Sequence, residues 1–440
     1  MRAQTETWRD GLAYDRTFDC VQCGYCLPVC PTYESMGKET HSPRGRINLV
    51  KMAAEGKVDI AQLAEPIDLC LGCRNCETVC PTNVQYGEIW ESAKTMVEQE
   101  RKRSKPVNIL RSFLFKHLFP KRTMLRLVGD ALWAYQKSGL RWLAQKMRVL
   151  HMLPSALRAF EAITPMVASP LKRRDRHRRR STVNAIQYKG TVAIFTGCIM
   201  DEMFYRTNRN TEALLAEAGY DVVLPLGQTC CGALHAHAGE RHMARELAKR
   251  NIAAFEEIEA DYIVQNAGGC GAMLVEYDKL LADDPEWSER AAHFQRKVRD
   301  ISQLLADHEW HWHKPVEEVV TYQRSCHLTN VQKVTEEPLT LLQSIPGVDY
   351  KEMAAPEQCC GSAGIYNIVH FEHTRYQNVP HERNKGNHDC HHESRLPIAN
   401  EIGCGTRRAV RPCPCRSPCR LDGGSVRGGC IIEEPVRTVL

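Results

Sequence analysis

Eight cysteines within the first eighty residues carry the chemistry of this 440-residue chain. They form two copies of C-x2-C-x2-C-x3-C-P: Cys20, Cys23, Cys26 and Cys30 before Pro31, then Cys70, Cys73, Cys76 and Cys80 before Pro81. Two residues between thiolates let one tight loop present three sulfurs to one face of a [4Fe-4S] cubane, and the fourth cysteine lies too far along to close the same cluster. The spacing therefore predicts two [4Fe-4S] clusters with crossed ligands. Cluster one takes Cys20, Cys23, Cys26 and Cys80; cluster two takes Cys70, Cys73, Cys76 and Cys30. Each proline keeps the chain from running straight back into a helix. Zinc would need four ligands, not runs of four ending in Cys-Pro. Disulfides would need an exported chain, and the opening MRAQTETWRDGLAYDRTFDC has no apolar signal-peptide stretch.

A second set of cysteines follows. Cys198 and Cys270 stand at the ends of apparent strands, and Cys230 and Cys231 adjoin a glycine; Cys326, Cys359 and Cys360 repeat the plan. Cys198 to Cys326 is 128 residues, and Cys230 to Cys359 and Cys231 to Cys360 are each 129. That repeat predicts two copies of one metal-binding module. Neighbouring side chains alternate along a strand, so adjacent cysteines face one metal only in a turn, which the following glycine permits. His235, His237 and His327 lie near these motifs; they read as donors to sulfur or as satisfied core residues.

The elements that must position these residues divide the chain into five stretches. Residues 1–100 form the ferredoxin-like module, with a helix predicted in Ser42–Gly56 and another from Tyr86 past Glu100. Residues 101–185 read as a basic helical linker with apolar positions three and four apart. Residues 101–180 hold 21 Lys or Arg and three acids, a net +18 in a chain whose total is +5. That face could wrap on its own protein, dock an acidic partner or lie on a membrane surface; no nucleic-acid reader motif accompanies it. Residues 186–300 alternate strands (Thr191–Cys198, Tyr220–Leu226, Asp261–Cys270) with helices, a parallel doubly wound pattern that gathers ligands at strand ends. Residues 301–373 repeat it. The fold class is α+β overall. No apolar run is long enough to span a membrane.

With the doubled cysteine motif, SPRGR between its halves, LCLGCRNCETVCPTNVQYG and two Cys-Cys-Gly modules, residues 10 to 373 resemble the iron-sulfur subunits of glycolate oxidase. Lactate-utilisation, glycerol-3-phosphate and heterodisulfide reductase iron-sulfur subunits are related. The resemblance implies an oxidoreductase subunit acting on CH-OH donors with an acceptor other than NAD or O2. FAD-containing partner subunits would oxidise glycolate to glyoxylate, and this chain would pass the electrons to a quinone or another acceptor. It would be cytoplasmic, with peripheral contact to the inner face of the membrane through the linker. It also implies ligand roles for the eight ferredoxin cysteines, and a further cluster at Cys198, Cys230, Cys231, Cys270, Cys326, Cys359 and Cys360. Where the reductase relatives carry C-x-x-C, this chain has Cys270 alone. Competing readings are a lactate or glycerol-3-phosphate dehydrogenase subunit, a heterodisulfide-reductase-like catalytic subunit, and a cluster-bearing regulator that binds nucleic acid.

Residues 374–440 keep no helical or strand period and read as an irregular, out-of-frame tail. Moving one base downstream, Asn387–Glu401 permits T-T-I-V-I-T-N-P-G-C-L-L-Q-M-K, with a cysteine at Leu396, 126 residues after Cys270. Cys415–Cys419 likewise permits A-V-H-L-V. A frameshift near residue 374 is expected, leaving the second module without its last ligand.

Overall fold

The computed structural model describes residues 8–9, 11–152, 155–175, 188–312, 314–353, 355–364, 366, 370 and 406–408. In the ferredoxin-like module the helices Pro43–Ala54, Ile60–Asp68 and Tyr86–Glu100 pack around Val50, Leu63, Ile67, Ile89 and Ala93. Truncating Leu63, which is fully buried, costs about 2–5 kcal/mol in such a core. The first of these helices is started by SPRGR. Ser42 caps it by accepting from the Gly45 amide at 3.0 Å, Pro43 takes its first turn, and Gly45 passes so close to the Glu39 carbonyl that a Cβ would sit 1.9 Å from it. The helix predicted past Glu100 stops at Glu100.

The linker folds onto its own protein. Its helices are Lys105–Phe113, continued by a π-helical turn Leu114–Leu118, then Arg122–Lys137 and Leu140–Lys146, broken at Gly139 where φ is +81°. Arg122 pairs with Asp201, Arg173 with Glu202 and Asp130, and Arg111 with Glu240. Three of the linker's arginines are thus matched by acids of the following module. Residues 176–180 of the predicted basic stretch lie outside the described residues.

The first Cys-Cys-Gly module holds a four-stranded parallel sheet, ordered β2-β1-β3-β4. The strands are β1 (Gly190–Ile194), β2 (Tyr220–Val223), β3 (Tyr262–Gln265) and β4 (Val298–Asp300). Val192 sits opposite Val222 on one side and Tyr262 on the other. Helices cover both faces, as parallel sheets require, with Ile252, Phe255 and Leu274 filling one side and Leu215 and Leu305 the other. The strands end earlier than the sequence suggests. Cys198 caps the helix Ile199–Met203, and Cys270 lies inside the helix Gly268–Val275 rather than on strand. The turn at Gly197, with φ of +70°, ends the first extended run.

The second module has β5 (Glu318–Tyr322) and β6 (Val348–Tyr350) in parallel, matching β1 and β2. On the other side of β5 lies β7 (Thr406–Arg408), running antiparallel where β3 runs parallel in the first module. These three residues of the tail therefore form strand. The rest of the tail beyond His370, including Leu396 and Cys413–Cys419, lies outside the described residues.

Candidate metal centres

The eight ferredoxin cysteines lie close together in the folded module. Cys20, Cys23, Cys26 and Cys80 line one cavity together with Cys76, with Arg44 and Tyr86 at its wall. Cys76 is buried beside Cys73, Cys70 and Cys30. Burial pushes the Cys76 thiol far up, and those three neighbours add to the shift. Burial also raises Cys20 and Cys26. Crowded sulfurs whose thiolate forms are opposed by burial and by each other fit a cationic cluster, which stabilises bound thiolate. Among the described residues no three His, Cys, Asp or Glu side chains are set as ligands of one metal ion. The cysteines of cluster one instead surround an opening, and cubane iron occupies several positions around such a space.

Hydrogen bonds to sulfur are already in place. The Gly72 amide donates to Cys70 Sγ at 3.4 Å, with the Tyr86 hydroxyl also 3.4 Å from that sulfur. Gln22 Nε2 donates to Cys20 Sγ at 3.4 Å, and the Thr82 hydroxyl lies 3.5 Å from Cys80. Such contacts help set a cluster's reduction potential.

In the first Cys-Cys-Gly module the four predicted cysteines form a chain of sulfur contacts, Cys198 to Cys230 to Cys231 to Cys270. The Cys230 contact and burial together push Cys198 far up. Asn251 and Tyr277 brace the turn: Asn251 Nδ2 donates to the Cys230 carbonyl at 2.9 Å, and the Tyr277 hydroxyl donates to the Cys231 carbonyl at 2.8 Å. The sequence reading missed both, because each reaches the turn from a distant helix.

The second module gathers its cysteines differently. Cys359 contacts Cys326, Cys360 and also Cys73 of the ferredoxin-like module. The Cys359 contact draws Cys326 well down, with His327 adding to it. His327 Nδ1 lies 3.5 Å from Cys326 Sγ, so this histidine is placed to donate to sulfur. His235 is instead a core residue, its Nε2 2.9 Å from the Phe115 carbonyl. His237 lies against Trp90 at the junction of the modules. The same junction holds Glu91, Glu276 and Arg74. Burial and the Glu276 charge push the Glu91 carboxyl up to about 7, and burial with His327 draws His237 down to about 3.

Two ferredoxin-type cysteine runs docked on paired Cys-Cys-Gly modules define an iron-sulfur electron carrier. Family models agree: a 4Fe-4S dicluster domain matches residues 17–84, a cysteine-rich domain matches 192–275 and 320–389, and the linker region of the glycolate oxidase iron-sulfur subunit matches 106–164. The chain is 48% identical over 359 residues, 80% of each chain, to the probable glycolate oxidase iron-sulfur subunit of Bacillus subtilis. It is 31% identical over 406 residues, 89% of each, to the glycolate oxidase iron-sulfur subunit of Escherichia coli. Lactate utilization protein A of Oceanobacillus iheyensis is 32% identical over 48% of this chain and 86% of its own length. No solved structure matches. The chain belongs to the glycolate oxidase iron-sulfur subunit family.

Proposed function

We propose that this chain is the electron-transfer subunit of a glycolate oxidase complex. A flavoprotein partner oxidises glycolate to glyoxylate and hands its electrons to the two [4Fe-4S] clusters. The observation that carries this reading is the close packing of the ferredoxin cysteines, one of which, Cys73, touches Cys359 of the second Cys-Cys-Gly module. Cluster one is assigned to Cys20, Cys23, Cys26 and Cys80, and cluster two to Cys30, Cys70, Cys73 and Cys76. A further cluster at the Cys-Cys-Gly cysteines would extend the relay to a quinone-type acceptor. The domain limits proposed are 1–100, 101–185, 186–300, 301–373 and 374–440, with a frameshift near residue 374. Reading the gene across that codon tests the frameshift, and an intact frame there would remove it.

The linker supports a peripheral place on the inner face of the cytoplasmic membrane. Among the described residues, Ile109, Leu110, Leu127, Trp142, Met147 and Met152 are exposed on it, between Lys and Arg side chains. An apolar face flanked by cations suits an anionic bilayer surface. No described helix is long and apolar enough to cross a membrane. Co-sedimentation with anionic vesicles, lost in Ile109→Ser/Trp142→Ser, is expected; equal sedimentation of the variant contradicts it.

The test of the activity is anaerobic dye reduction by the complex of this chain with its flavoprotein. Glycolate is expected to drive it faster than lactate or glycerol 3-phosphate, and omission of this chain to abolish it. Preference for lactate, or full activity without this chain, would overturn the reading.

A further inference from the structure

SPRGR sends one arginine toward each cluster site, and the two are treated differently. Arg44 lines the cluster-one cavity, but Glu39 holds one edge of its guanidinium, Nε to Oε1 at 2.7 Å and Nη2 to Oε2 at 3.3 Å. Its charge is matched and lies near solvent. Arg46 is 1% exposed. Its Nε donates to the Pro66 carbonyl at 2.7 Å and its Nη2 to Thr32 Oγ1 at 3.0 Å. Thr32 Oγ1 in turn lies 3.2 Å from Cys30 Sγ and 2.8 Å from the His41 carbonyl. The acidic groups that weigh most on Arg46 are Cys70, Tyr86 and Cys30.

A buried cation costs several kcal/mol unless something compensates it. Here the compensating groups are two sulfurs assigned to cluster two. A [4Fe-4S] centre takes up one electron without breaking a bond, and its net negative charge grows by one. A fixed cation in a low-dielectric site stabilises the reduced form and so raises the potential.

We propose that Arg46 raises the reduction potential of cluster two above that of cluster one, so that electrons from the partner's reduced flavin collect on the cluster next to the second Cys-Cys-Gly module. Arg46 is a positioning residue for the electron, not a ligand. The inference rests on the crossed cysteine assignment proposed above.

The experiment is an EPR-monitored redox titration of the full complex carrying Arg46→Gln, Arg46→Lys, Cys30→Ser or Cys23→Ser. Cys30→Ser marks the cluster-two wave and Cys23→Ser the cluster-one wave. If both serine variants disturb the same wave, the crossed assignment itself fails. With the waves separate, Arg46→Gln is expected to lower the cluster-two wave by at least a tenfold change in its reduction equilibrium, about 59 mV for one electron. The cluster-one wave stays in place, and Arg46→Lys, which keeps the charge, shifts cluster two less. Unmoved waves, equal movement of both, or an equal shift in Gln and Lys variants would overturn the proposal. Should Arg46→Gln lose cluster two, Thr32→Val removes the hydroxyl between guanidinium and Cys30. A lowered cluster-two wave then supports the proposal, and an unchanged one overturns it.

Discussion

In the first Cys-Cys-Gly module the sulfurs of Cys198, Cys230, Cys231 and Cys270 all come from the turns and helices that follow the strands of one sheet. In the second, Cys326, Cys359 and Cys360 stand with Cys73, which comes from a ferredoxin motif more than two hundred residues earlier. The strands explain the difference. The first module follows β3 with the helix that presents Cys270. The second has the antiparallel β7 in the place of β3, so no parallel strand delivers a fourth cysteine there among the described residues. One module gathers four cysteines of its own, and the other gathers three beside a cysteine of the ferredoxin-like module. In the assignment proposed above, that shared cysteine is a ligand of cluster two.

That contrast can be broken most directly at the shared sulfur. Cys73→Ser removes a cluster-two ligand and a sulfur from the second module, so about half of the cubane iron should be lost. Cys270→Ser should leave both cubanes loaded. Iron analysis with EPR spin counting checks this; equal iron in Cys73→Ser and wild type would contradict it. Next in size is the ion triad at the docking seam. Arg74 reaches Glu276 at 2.6 Å and Glu77 at 2.8 Å, all three largely buried. Arg74→Met leaves Glu77 with the Gly87 amide at 2.7 Å, while Lys279 still pairs with Glu276 at 3.1 Å, and should cost about 3 kcal/mol in denaturant unfolding; a loss below about 1 kcal/mol would place the seam's strength elsewhere.

A smaller effect is expected from the second module's own tie. Asn330 Nδ2 donates to the Cys73 carbonyl at 2.8 Å. Asn330→Ala should cost about 1–3 kcal/mol and make proteolysis between residues 301 and 364 faster, while the first module stays protected. Equal protection of both modules would blunt the comparison. The smallest effect is one of pH. Glu91, with 24% of its side chain exposed, has its carboxyl pushed up to about 7 from an ordinary 4.5. A raised folded value means stabilisation present below the ordinary value and lost as pH rises through about 7. Glu91→Gln should therefore gain melting temperature at pH 8 and little at pH 5. His237, drawn down to about 3, has the opposite sign: its contribution is present above its ordinary value and lost as pH falls toward the folded one. It is common to both proteins. A larger gain at pH 5 would reverse the assignment.

The two ferredoxin cysteine runs were legible because ligand spacing is local. The helices at Pro43–Ala54 and Tyr86–Glu100 were legible from apolar period, and the parallel order of β1 to β3 from alternation of element types. What was hidden depends on contacts far apart in the chain. The linker's arginines look like a free basic face until Asp201, Glu202 and Glu240 arrive beside them. Arg46 looks like any surface cation until Pro66 and Thr32 close over it. Cys270 reads as a strand end, yet Gly268 and Gly269 open a helix that sets it against Cys231.

We propose that electrons from glycolate enter this chain through two cysteine-held cubanes. The most direct measurement is EPR of the anaerobic complex with its flavoprotein, frozen after glycolate is added. Reduced [4Fe-4S] signal is expected on this chain, from cubanes that integrate to two after full chemical reduction, with one lost in Cys30→Ser and the other in Cys80→Ser. Silent clusters after glycolate, or both lost together in Cys80→Ser while Cys30→Ser keeps both, would contradict it.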